Sequence, residues 1–250
     1  DEFSGTVESG GTVAVGNIPD PLSNAPTVPP PPPAPSAAPT STSTLPPQRI
    51  DGAIGEAVDG DRLIFIGDSL LASMSPNDNA RLCDVAESFG WEVEIDSQSG
   101  ATIDFADTVI EARFPDVVGS GDETTGDEET DEAIADWDVA ALVFGSELDG
   151  GDDDAVSNFE RGLDDAVARL APRPTILYTV TETDESREQM NAAIRAVAER
   201  HPNTVLIDFA ELGGPAEEVL EDDGRRFNED GRKRFSVQTA AVLAEAPSGT

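Results

Sequence analysis

From about residue 60 onward, short apolar runs alternate with stretches in which apolar residues recur at helical spacing. The runs Arg62 to Ile66, Trp91 to Ile95, Val139 to Phe144, Thr175 to Thr179 and Thr204 to Asp208 have the length of strands. Between them, Val156, Phe159, Leu163, Val167 and Leu170 fall on one helical face, and Met190, Ile194 and Val197 fall on another. A last helix is expected from about Asp230 to Ala244. Strands alternating with helices predict an α/β fold, a three-layer α/β/α sandwich on a five-stranded parallel sheet with right-handed crossovers.

Two stretches stand outside this rhythm. Asn24 to Gln48 is dominated by Pro, Ala, Ser and Thr and contains an unbroken run from Pro29 to Pro33, a composition that favours extended polyproline geometry and cannot build a core. Residues 1–55 are therefore expected to form a disordered linker ahead of a compact domain at 56–250, which implies a tether. Gly119 to Asp136 is acidic and has no apolar period, so it reads as a mobile loop.

The whole chain holds 51 acidic against 15 basic residues, a formal net charge of −36. Such a charge opposes nucleic acid and anionic lipid as partners and suits a solvated surface in a salty medium. The acids Asp149, Asp152, Asp153 and Asp154 lack the ligand spacing of a calcium loop, so neither metal nor cofactor is expected. Cys83 stands alone, cannot close an internal disulfide, and reads as a small buried apolar residue. No apolar run is long enough to span a membrane, and an export signal or anchor is expected outside this sequence.

Candidate chemistry collects where the strands end. In open α/β sheets, ligands bind outside the carboxyl ends of the strands. The first predicted strand delivers Gly67-Asp68-Ser69-Leu70, and Ser69 there has the placement of a nucleophile. The plainer structural reading is a turn in which Asp68 or Ser69 caps the next helix. Later strands are followed by Asp96 to Thr102, Gly145 to Asp149 and Thr181 to Asp184, and the fifth leads on to Asp222 through Phe227.

These segments, in this order, resemble the conserved blocks of the SGNH, or GDSL-type, hydrolases over roughly residues 60 to 246. The resemblance implies Ser69 as nucleophile, the amides of Ser69 and Gly100 as an oxyanion hole, and Asp223 as the acid that orients the base. Two positions depart from the pattern. Glu147 stands where the family has asparagine, and a carboxylate repels a developing oxyanion that an amide would stabilise. Arg226 stands where the family has histidine, and a guanidinium cannot accept the serine proton. His201 precedes Pro202 at the far edge of the predicted sheet, which leaves Glu147 and Asp184 as substitute bases.

The layout also resembles the C-terminal part of bacterial membrane acyltransferases, in which a multi-span domain is joined to an extracytoplasmic SGNH-like domain. That likeness implies O-acylation of cell-surface carbohydrate, an upstream membrane domain, and an extracytoplasmic, membrane-tethered location. The expectation is thus an SGNH-like domain associated with ester hydrolysis or O-acyl transfer on cell-surface carbohydrate, its catalysis impaired or lost. The alternative is a non-catalytic glycan- or acyl-binding module in which Arg226 pairs with an anionic substituent.

Overall fold

The structure, a computed structural model, describes residues 52–74, 81–114, 137–147 and 153–247. The expected linker at 1–55, but for its last residues, and the expected acidic loop at 119–136 lie outside them, as do the side chains of Asp149, Asp152 and Asp153. Five parallel strands form one sheet: β1 (Arg62–Gly67), β2 (Glu92–Ser97), β3 (Val139–Val143), β4 (Thr175–Tyr178) and β5 (Thr204–Ile207), in the order β2-β1-β3-β4-β5. The principal helices are α1 (Ser69–Ala72), α2 (Arg81–Ser88), α3 (Asp104–Arg113), α4 (Asp153–Leu170), α5 (Glu185–Arg200), α6 (Phe209–Leu212), α7 (Ala216–Val219) and α8 (Glu229–Leu243). The expected α/β architecture is present, with strand ends within two residues of those read from the sequence.

Both faces of the sheet are covered, and β1 shows how. Leu63 and Phe65 join a core with Leu82 of α2 and Phe235 and Leu243 of α8, while Ile64 and Ile66 join a second core with Ile110 of α3, Leu163 of α4 and Ile194 of α5. Alternate β-strand side chains point to opposite faces, so a strand buried on both sides must be apolar throughout. The helical faces expected on α4 and α5 are the ones that pack inward. Trp91 precedes β2 rather than opening it, and its indole N–H donates to the carbonyl of Ala244 at 3.0 Å. Cys83 corrects an expectation: it sits half-buried on α2, and partial burial together with Glu87 and Asp84 pushes its thiol upward, away from reactivity.

The strand order places the site. From β1 the chain steps outward to β2, then crosses back past β1 to β3 and goes on to β4 and β5, so the connections that follow β1 and β3 lead to opposite sides and part at the carboxyl ends of these two strands. That divergence opens a crevice where loops cannot cover the sheet. Ser69 follows β1, Gly100 follows β2, and Glu147 follows β3.

Candidate active site

Gly67 ends β1 so tightly that a Cβ there would collide with the carbonyl oxygen of Val143 and with Leu71. The chain then turns directly into α1, with Asp68 as its N-cap. Asp68 Oδ1 accepts from Leu70 N at 3.0 Å, and Oδ2 accepts from Gly145 N and Ser146 N, each at 2.9 Å. The capping reading therefore holds for Asp68, and it leaves Ser69 free to face the crevice. By gathering amides from both sides, this carboxylate ties the turn after β1 to the turn after β3. Asp68 is fully buried, and burial pushes its pKa up to about 6 against the lowering effect of those N–H groups.

Ser69 Oγ accepts a hydrogen bond from Gly100 N at 3.1 Å. Gly100 adopts φ of +78°, a left-handed conformation that suits glycine and turns its amide inward. The same N–H also reaches Glu147 Oε1 at 3.4 Å, so serine hydroxyl and glutamate carboxylate share one donor. The other oxygen of Glu147 lies 3.5 Å from Arg225 Nη1. Glu147 has only 11% of its side chain exposed, so its charge sits largely out of water at the point where an ester oxyanion would develop.

The loop between α7 and α8 supplies the remaining residues. It is pinned beneath Ser69, because Ser73 Oγ donates to Leu70 O at 2.6 Å and accepts from Phe227 N at 3.1 Å. Asp223 Oδ1 accepts from the backbone amides of Arg225 and Arg226, and Oδ2 meets Arg226 Nε at 2.7 Å. The Arg225 amide, then the Arg226 side chain and amide, hold the Asp223 carboxyl below its usual range. The acid expected to orient a base thus orients a guanidinium at the cleft rim.

No imidazole reaches this place. His201 caps the C-terminal end of α5, before β5, and its Nε2 lies 3.1 Å from Asp164 Oδ1 at the opposite edge of the sheet. Asp184 is unavailable as a substitute base, since its Oδ1 caps α5 by accepting from Ser186 N and Arg187 N. Among the described residues, no group of three His, Cys, Asp or Glu side chains is arranged to hold a metal, and no helix is long and apolar enough to cross a membrane.

Sequence reasoning overlooked Arg187. It is 4% exposed, and its guanidinium donates to Thr181 O at 3.2 Å and Ser146 O at 3.0 Å, clamping the turns after β4 and β3 together. Burial lowers its pKa, while Asp184, Asp68 and Glu147 act in the opposite direction. A signal was present: Arg187, Met190, Ile194 and Val197 share one helical face, so a cation in the first turn of α5 was placed among core residues and against the helix dipole.

No protein-family model matches the chain, and no curated protein matches it by sequence. Its fold, however, is found among solved structures. It resembles the esterase EstA from Pseudoalteromonas sp. at TM-score 0.51 and 12% identity, over 73% of this chain and 96% of that one. A member of the lipolytic G-D-S-L family from Veillonella parvula matches at TM-score 0.52 and 17% identity, over 73% of this chain and 97% of that one. A salicylyl-acyltransferase from a tetracycline biosynthetic pathway matches at TM-score 0.51 and 17% identity, over 74% of this chain and 55% of that one. The chain thus shares the fold of esterases, of a G-D-S-L family protein and of an acyltransferase.

Proposed function

We propose that this is an SGNH-fold domain of acyl-ester chemistry whose serine site has lost unaided hydrolysis and now serves to bind an acyl-ester or carbohydrate ligand. One observation carries the reading. The Gly100 N–H that an oxyanion would need is shared by Ser69 Oγ and by the carboxylate of Glu147, whose second oxygen is tied to Arg225. A negative tetrahedral intermediate formed on Ser69 would meet a negative charge where it needs a donor. Removing one such donor costs about 10²- to 10³-fold in rate, and a missing general base costs about 10²- to 10⁴-fold more.

The fold shared with esterases and an acyltransferase supports ester or acyl-transfer ancestry for the cleft. The proline-rich stretch and the acidic composition are consistent with an extracytoplasmic domain tethered to a membrane partner and acting on cell-surface carbohydrate. Release of p-nitrophenol from its acetate ester tests the reading. The expected result is equal rates for the native protein and Ser69→Ala; release that depends on Ser69 overturns it.

A further inference from the structure

Beside the serine, a cleft of about 230 Å³ opens between the start of α3, the end of β3 and the N-terminal half of α4. Ile103, Phe144, Ala155 and Phe159 make its walls, and Glu147 is its most buried charged group. At about 30 Å³ per water-sized group, the volume suits a ligand of about seven or eight heavy atoms. In this chain the polar end of that cleft presents an acceptor. Glu147 takes up the Gly100 amide, so a ligand carbonyl arriving there finds its donor already engaged and a carboxylate meets a charge of its own sign.

Glu147 is also under-partnered for a carboxylate so far from water. Its contacts among the described residues, 3.4 Å to Gly100 N and 3.5 Å to Arg225 Nη1, lie at the outer limit of hydrogen bonding. Charge-assisted bonds normally close to about 2.7–2.9 Å. Arg225 approaches from a side chain that is 39% exposed, where such a pair contributes little. A donor entering from the cleft can approach more closely than either partner does. The net charge of −36 raises the local concentration of cations, and the rings of Phe144 and Phe159 offer apolar surface to the rest of such a ligand.

We propose that this cleft binds a small ligand with an apolar body and an ammonium head, the head pairing with Glu147 and the body lying between Ile103, Ala155 and the two phenylalanines. The proposal rests on reading Glu147 as one of the replacements that silenced hydrolysis, and it narrows the acyl or carbohydrate ligand of that reading to one that carries an ammonium group.

Isothermal titration with three isosteric probes, hexylammonium, hexan-1-ol and hexanoate, tests it. Hexylammonium is expected to bind at least ten-fold more tightly than the alcohol, with hexanoate weakest. Glu147→Gln should bring hexylammonium down to the level of the alcohol, and Ala155→Phe should abolish binding of both by filling the cleft, with folding of each variant checked by its thermal melt. Should Glu147→Gln fail to fold, the ranking of the three probes on the native protein decides. Equal affinity for ammonium and alcohol, or no binding of hexylammonium, overturns the proposal. Ser69-dependent ester release in the same preparation would overturn the silent-site reading instead and leave the probe ranking to stand or fall by itself.

Discussion

Asp68 makes the sharpest quantitative prediction, because it is fully buried and its pKa is raised from 3.8 to about 6. At 1.36 kcal/mol per unit, the shift corresponds to about 3 kcal/mol of preference for the protonated form in the folded state. The sign follows from linkage: the stabilisation is fully present below pH 3.8, where both states are protonated, and is lost as pH rises through about 6. Between pH 5 and 7.5 the loss from this one group should be about 1.4 kcal/mol, the remainder falling below pH 5 while the unfolded chain titrates. The measurement is urea unfolding at constant ionic strength, native protein against Asp68→Asn. The variant cannot satisfy all three amides that Asp68 accepts, so it carries a constant offset; it also lacks the titration, so other acids cancel in the difference. The difference in stability, native minus variant, should fall with pH across that window. A flat or rising difference would refute the claim that desolvation outweighs the three N–H groups.

Further outcomes follow from the same geometry. The double variant Glu147→Asn with Arg226→His restores an oxyanion donor and a base beside Asp223, and should raise p-nitrophenyl acetate release at least about 10²-fold, with the gain abolished by Ser69→Ala. Arg187→Met leaves the carbonyls of Ser146 and Thr181 without their donor and Asp68 without a neighbouring cation, so urea unfolding should show a loss of about 3 kcal/mol. Gly67→Ala forces a Cβ against the Val143 carbonyl oxygen, whereas Gly100→Ala meets open space and costs only its left-handed backbone, about 1 kcal/mol; thermal melts should place Gly67→Ala far below Gly100→Ala. Asn228→Ala removes the N-cap of α8 and should cost about 1 kcal/mol.

The sheet was legible because buried parallel strands leave a plain mark: β3 is apolar along its length and β1 from Leu63 onward, and α4 and α5, between the later strands, repeat at helical spacing. The placement of Ser69, Gly100 and Glu147 in one crevice was legible for a related reason, since strand order fixes which loops meet. What did not show was the register within Arg225-Arg226. The sequence marks Arg226 as the substitute for a histidine, yet it is Arg225 that reaches Glu147, while Arg226 turns to Asp223 at the rim. Which of two adjacent loop residues faces inward depends on how Ser73 pins Phe227, a contact between residues 154 positions apart that no local pattern encodes.

That register bears on which of the two departures, Glu147 or Arg226, weighs more in the proposed silence of the site. Arg225 and Glu147 answer each other's charge in the cleft, so replacing Glu147 alone would leave the Arg225 guanidinium without that counter-charge. A guanidinium is a donor with fixed positive charge and can stand in for an oxyanion-hole amide. It cannot take a proton from the serine, and His201 is held at the other end of the sheet. Glu147→Asn without Arg226→His should therefore leave ester release at the level of the native protein, whereas the imidazole is the component for which nothing in the cleft compensates.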